Sequence, residues 1–190
     1  MTLFGIFVGG KATRMGGLAK GLLPAPGGQE PLVTRLARLA TELGCEPVLV
    51  GSDARYQAAL PSLRTLADVP PEVGPLGGLG GLLRAARGGS ALAIACDMPL
   101  VSRALLERLL REAPAADVLA PRSASGPWEP LCARYHADRV GAQLAQALAE
   151  GVRSFQQLFA RLDVAELELE PAARGELVDW DSPEDIARTR

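Results

Sequence analysis

A chain of 190 residues, 48% of them hydrophobic, is long enough to bury a full core in one domain, and a net charge of -2 from 20 basic and 22 acidic residues gives no basic field for a nucleic-acid backbone. The three cysteines, Cys45, Cys96 and Cys132, are odd in number and contain no C-x-x-C pair, so neither a disulfide framework nor a structural zinc site is indicated. With His136 as the only histidine, a Ser-His-Asp or Cys-His mechanism has one candidate; any metal must be held by oxygen, which favours magnesium.

The first apolar run, TLFGIFV, reads as a strand; it is too short to span a membrane and no charged segment precedes it as a secretory signal requires. The expectation is a cytoplasmic protein with neither membrane nor nucleic acid as partner. Next, PLVTRLARLATEL places Leu32, Leu36, Leu39 and Leu43 at helical spacing, closed by Gly44. EPVLV is a second strand, RYQAAL a short helix, RTLA a weak third strand and GGLGGLLRAAR a further helix. ALAIAC is wholly apolar and so a central strand; Ser102 then caps a helix that turns Leu105, Leu106, Leu109 and Leu110 inward. DVLAP and PLCARY are strands, DRVGAQLAQALAEG and RSFQQLFARL helices, VAELELE an alternating strand, and SPEDIARTR a helix opened by Ser182, Pro183 and Asp185. Alternation of strand and helix through the first half predicts a doubly wound α/β sheet.

The residues just past each strand are informative. Gly9 and Gly10 come after the first, Gly51 and Ser52 after the second, Asp68 after the third and Asp97 after the fourth. In a parallel sheet all of these lie on the carboxyl rim, where open α/β folds bind ligands. The stretch FVGGKATRMGGLAKGLL adds glycines that let backbone N–H groups approach an anion, with Lys11, Arg14 and Lys20 to neutralise it. It is not a Walker loop, because Ala12 stands where the metal-binding hydroxyl belongs, and no G-x-G-x-x-G comes after the strand. A surface loop with solvated charges is the alternative that composition leaves open.

That stretch resembles the signature L-x-G-G-x-S-x-R-M-G-x-x-K of nucleotidyltransferases that activate small molecules with NTPs, and it is most similar to the molybdenum cofactor guanylyltransferases. The resemblance runs on through LADVPPEVGPLGGLGGLL, ACDMP, EPLCARY, GVRSFQQLF and DWDSPEDIA, in order along nearly the whole chain. It implies a three-layer α/β/α Rossmann-like sandwich with a mainly parallel sheet, similar to the nucleotide-diphospho-sugar transferases. One nucleotidyltransferase domain over residues 1–190 is expected, its nucleotide-binding half about 1–100 and its acceptor-binding half about 101–190. The implied reaction joins GMP from GTP to the phosphate of molybdopterin, with pyrophosphate released and Mg2+ as cofactor. Enzymes that deliver or receive the molybdenum cofactor are further partners that the resemblance suggests.

By the same resemblance, the backbone of Phe7, Val8, Gly9 and Gly10 lies along the nucleotide, Lys20 reaches its phosphates and Arg14 adds a second cation. Asp97 takes the metal-binding position and Asp68 contacts the nucleotide, at guanine or at ribose; Gly51 and Gly74 border the same site. The run GPLGGLGG is expected either to present flat backbone to a purine or to form a tight turn into a helix. The chain departs from the family at FVGG, where L-A-G-G is usual; at Gly51, where some relatives carry Asn; and at DWDSPED, where Asp179 and Asp181 resemble the D-x-D of cytidylyltransferases. Asp181 either completes a metal site with Asp97 or favours a helix N-terminus. Arg122, Arg153 and Asp179 are candidate contacts for the acceptor, and Trp128 with Pro127 could stack on its pterin. The alternatives are a cytidylyltransferase for the same cofactor, a transferase for a sugar phosphate or 2-phospholactate, and a GTP-binding chaperone that has lost transfer.

Overall fold

The computed structural model describes residues 2–8, 18–123 and 126–189. The first apolar run forms β1 (Leu3–Phe7), which pairs in parallel with β2 (Glu46–Val50) on one side and β4 (Ser90–Ala95) on the other. β3 (Thr65–Leu66) extends β2 in parallel. Beyond β4 lies β6 (Cys132–His136), antiparallel both to β4 and to β5 (Val118–Ala120), and β7 (Val164–Glu166) pairs in parallel with β5. The sheet has seven strands in the order β3-β2-β1-β4-β6-β5-β7, and β6 alone runs against its neighbours.

Alternation along β1 sorts side chains to two faces. Phe4 and Ile6 pack with Leu32 and Leu36 of α1 (Leu32–Glu42), Leu105, Leu106 and Leu109 of α4 (Arg103–Arg111) and Ile186 of α7 (Pro183–Thr189). Leu3 and Phe7 face α3 (Pro75–Ala85), α5 (Ala137–Ala149) and α6 (Phe155–Phe159), which bring Leu79, Leu82, Val140, Leu144 and Phe159. The fold is thus a three-layer α/β/α sandwich. Each leucine moved from water into these layers contributes on the order of 1.5–3 kcal/mol. Gly5 is required by the same packing, since a Cβ there would lie 2.6 Å from the Leu82 side chain.

Helix starts reflect local chemistry. Ser102 Oγ accepts from the Leu105 N–H at 3.1 Å, and Asp53 opens α2 (Ala54–Ala59) in the same way. Ser182 and Asp185 cap α7 reciprocally, the serine hydroxyl taking the Asp185 N–H and the carboxylate the Ser182 N–H. His136 heads α5, its Nδ1 taking the Arg139 N–H; β6 register puts it beside Ser90, at the opposite edge of the sheet from Asp97. Two expectations are corrected. VAELELE pairs only over Val164–Glu166, after which the Leu167 N–H turns to the Ala120 carbonyl and the chain leaves the sheet; Leu110 is only half-buried. The three cysteines are buried and free, and among the described residues no helix is long and apolar enough to cross a membrane.

Candidate functional site

Strands β1 to β4 all deliver their C-termini to one rim. β1 ends there with its last polar groups spent in the sheet: the Phe7 carbonyl accepts from Cys96 N–H at 3.1 Å and the Val8 N–H donates to Val50 at 3.0 Å. Phe7 and Val8 are therefore fixed at the rim; Gly9, Gly10 and Arg14 lie outside the described residues. Gly51 leaves β2 at φ 111°, its N–H donated to Leu66, a conformation that favours glycine.

Lys20 meets Asp97 here. Its Nζ lies 3.3 Å from Asp97 Oδ2 and 3.0 Å from Asp181 Oδ1, joining residues 77 and 161 positions apart. The lysine side chain is 15% exposed, Asp97 25% and Asp181 55%. Burial works against the Lys20 ammonium, but the hydrogen bond to Asp181 and the charges of both aspartates outweigh it and raise its pKa. Asp181 reaches this position because Trp180, fully buried in the core, donates its backbone N–H to the Asp97 carbonyl at 3.0 Å and its indole N–H to Thr189 of α7. Asp181 does not cap α7, a task already performed by Ser182 and Asp185.

Two further carboxyls belong to this rim. Desolvation first, then the Asp181 and Asp97 charges, raise the pKa of Asp179. Burial and the neighbouring Asp179 charge push the Glu129 carboxyl up to about 7. Glu129 reaches the rim because reversed β6 begins where β4 ends, with Cys132 opposite Ile94 and Leu131 accepting from the Ala95 N–H. Sequence reasoning missed Glu129, since its position depends on the direction of β6. A rim that gathers these carboxyls beside one ammonium fits a site for a polyphosphate and a cation.

The glycine run opens a helix and packs it closely. Gly74 enters α3 at φ 68°, but the other glycines serve packing of the helix against residues 67–70. A Cβ at Gly80 would fall 1.9 Å from the Val69 carbonyl oxygen, one at Gly81 2.2 Å from Ala67 oxygen and one at Gly77 2.6 Å from Pro70 oxygen. Gly78 fits under Phe7 and Val50 with Asp68 Oδ1 beyond. Close packing of the helix on residues 67–70 accounts for these glycines, and it seats Asp68 at the rim.

The acceptor-side arginines are already engaged by the chain. Arg122 pairs with Glu166 at 3.1 Å, donates to the Gly126 carbonyl at 2.8 Å, and lies 3.7 Å above the Trp128 ring, which also packs on Phe159. Trp128 thus has one face covered by its own arginine. Arg153 donates to the Leu148 and Val152 carbonyls and holds the end of α5. Among the described residues, no three acidic, histidine or cysteine side chains are grouped so as to hold a metal by themselves. Asp97 and Asp181 nevertheless offer oxygen donors of the kind magnesium uses, since that ion is held by one or two carboxylates with water and substrate phosphate.

Residues 5–165 match the model of the MobA-like NTP transferase domain. The chain belongs to this family. Molybdenum cofactor guanylyltransferases of Pseudomonas putida are 38% identical over 183 residues, covering 94% of this chain and 92% of theirs. The one from Xanthomonas euvesicatoria is 31% identical over 185 residues, 96% of this chain and 91% of its own. Among solved structures, molybdopterin-guanine dinucleotide biosynthesis protein A from Archaeoglobus fulgidus superposes with a TM-score of 0.77 at 26% identity, over 100% of this chain and 96% of that one. A nucleotidyl transferase from Methanothermobacter, at 21% identity and TM-score 0.77, shares the fold. Family membership makes the chain a nucleotidyltransferase, and the rim that carries Lys20, Asp97 and Asp181 is its candidate active site.

Proposed function

We propose that this protein transfers GMP from GTP to the terminal phosphate of molybdopterin. A phosphate oxygen of the acceptor attacks the α-phosphorus of GTP, a new P–O bond forms, and the α–β anhydride breaks with its electron pair leaving on pyrophosphate. The observation that carries the reading is the meeting of Lys20, Asp97 and Asp181 within 3.3 Å on the carboxyl rim. The names of the relatives support guanine as the base and molybdopterin as the acceptor.

In this reading the chain supplies position and charge, which is most of what phosphoryl-type transfer requires of a protein. Lys20, now neutralised by two aspartates, meets the triphosphate where it stands and exchanges carboxylate for phosphate oxygen, and Arg14 adds a second cation. Phe7 and Val8 hold the floor from which Gly9 and Gly10 approach the phosphates, with Gly51 and Gly74 at its borders. Asp68 accepts hydrogen bonds from the guanine edge or from ribose. Asp97, with Asp181, would hold Mg2+, which would neutralise phosphate charge in the transition state. On the acceptor side Arg122 and Arg153 shape the surface through their internal partners, and Asp179 is the candidate left to contact the acceptor itself. Enzymes that exchange the molybdenum cofactor with this one are its further partners.

The test offers purified protein magnesium, molybdopterin and each NTP in turn. GTP should give the dinucleotide at least tenfold faster than CTP, ATP or UTP. Preferential use of CTP would overturn the guanine assignment and make Asp179 and Asp181 the marks of a cytidylyltransferase.

A further inference from the structure

The segment that carries Lys20 is weakly organised by itself. Lys20–Leu22 forms a single tight turn whose preceding residue, Ala19, offers no side-chain cap. The N–H inside that turn finds its partner elsewhere: Gly21 donates to the Tyr56 hydroxyl at 3.1 Å, in a buried position. Tyr56 is the only residue α2 buries, and it is 3% exposed. The rest of that short helix is at the surface, so the helix contributes this one ring to the interior. The Cys96 thiol donates to the same hydroxyl at 3.5 Å. Cys96 immediately precedes Asp97, so one phenol oxygen ties the lysine turn to the end of β4.

Packing enforces the same registration. A Cβ on Gly21 would lie 2.8 Å from the Tyr56 ring, 3.0 Å from the Cys96 carbonyl oxygen and 3.1 Å from Cys96 Cβ. The turn can sit where it does only because Gly21 has no side chain and because the ring presents its oxygen at that depth.

We propose that Tyr56 is a positioning residue for Lys20: its hydroxyl, through the Gly21 N–H, holds the lysine turn at the height of Asp97, so that the ammonium is already in place before the nucleotide arrives. The inference rests on the reading of Lys20 as the phosphate-binding cation. Preorganised charge is what makes an electrostatic contact effective in a transition state, because no free energy is then spent on arranging it during reaction. Tyr56 touches no substrate; it acts through the turn.

Lysine chemistry makes the test clean. The chain contains two lysines, Lys11 and Lys20, so selective 13C,15N-lysine labelling gives two side-chain signals, assigned with Lys11→Arg. In Tyr56→Phe the Lys20 ε signal should move toward that of an unpaired lysine, because the two aspartates no longer hold the ammonium. Gly21→Ala, which leaves the phenol intact but displaces the turn, should give the same signature. Leu144→Ala in α5, in the core on the other face of the sheet, should lower Tm at least as far and leave the Lys20 signal alone. An unchanged Lys20 signal in both Tyr56→Phe and Gly21→Ala overturns the proposal. In kinetics, kcat with GTP should fall about tenfold in Tyr56→Phe, while adding that change to Lys20→Ala should cost less than twofold further. Independent, multiplying losses would overturn it as well. A wild-type protein that transfers nothing from GTP would refute the activity assigned above, and the labelled-lysine experiment would still decide the role of Tyr56.

Discussion

Two cationic parts of this molecule differ in how their charge is held. Lys20 stands between two carboxylates that belong to the same rim, in bonds that join side chain to side chain. Arg122 and Arg153 instead hold the chain together: one bridges Glu166 and covers Trp128, the other closes the end of α5 on two carbonyls. Charge near a cleft is therefore a poor guide to function unless one also asks what the charge is already doing. The lysine is poised, and the arginines are employed.

The contrast is strongest in activity. Lys20→Ala and Asp97→Ala should each remove on the order of 3 kcal/mol or more of transition-state stabilisation, as loss of preorganised charge does. Arg122→Ala and Arg153→Ala should change kcat/KM less than tenfold and appear chiefly in Tm. Steady-state kinetics on the four variants checks this, and an arginine loss as large as the lysine loss would break the comparison.

The next effect concerns how the rim is built. Gly80→Ala places a methyl group where the Val69 carbonyl oxygen sits, and overpacking of this kind costs about 1–3 kcal/mol or more. Denaturant unfolding should show that loss, with KM for GTP raised because Asp68 moves with the backbone. A stable Gly80→Ala protein with an intact Tm would return the glycines to the role of a purine platform.

The smallest effect separates the carboxyls. The Glu129 pKa is raised from 4.5 to about 7, so the folded state binds its proton more tightly than the unfolded chain. Stability should therefore fall as pH rises from about 4.5 through 7 and be fully reduced above it. Glu129→Gln should remove that decline and stabilise the protein at pH 8 by about 1 kcal/mol, a value discounted for the group's partial exposure. At pH 4 the two proteins should unfold alike. Thermal melts across pH measure it, and a Gln variant less stable than wild type at pH 8 would mean the carboxylate is favourably paired.

Much of the fold and the site was legible from residue order because strand ends carry information. An apolar strand followed by Asp97, and another followed by a glycine-rich lysine-bearing stretch, announce a rim in any parallel sheet, and the structure brings Lys20 and Asp97 to 3.3 Å. Capping was readable too, since Ser102 and Ser182 act through bonds of a few residues' span. The unreadable part depends on direction and depth. PLCARY has the same pattern whichever way it runs, so the reversal of β6 and the arrival of Glu129 at the rim were hidden. The glycines of α3 look alike for a base platform and for helix packing, and only the carbonyls of residues 67–70 distinguish them. Tyr56 gives no local signal at all; its partners lie 35 and 40 residues away. The expectations for Gly9, Gly10 and Arg14 fall outside the described residues.

The reversed strand divides the labour of the scaffold. Because β6 runs against its neighbours, β5 ends and β6 begins at the same rim, and Arg122, Trp128 and Glu129 lie between the two strands in sequence. That connection can be lengthened, shortened or recoded while the parallel ladders under Lys20 and Asp97 stay as they are. On the function proposed, acceptor range and nucleotide grip would then vary separately, and exchanging the connection between β5 and β6 for that of a relative with another acceptor would change one without the other.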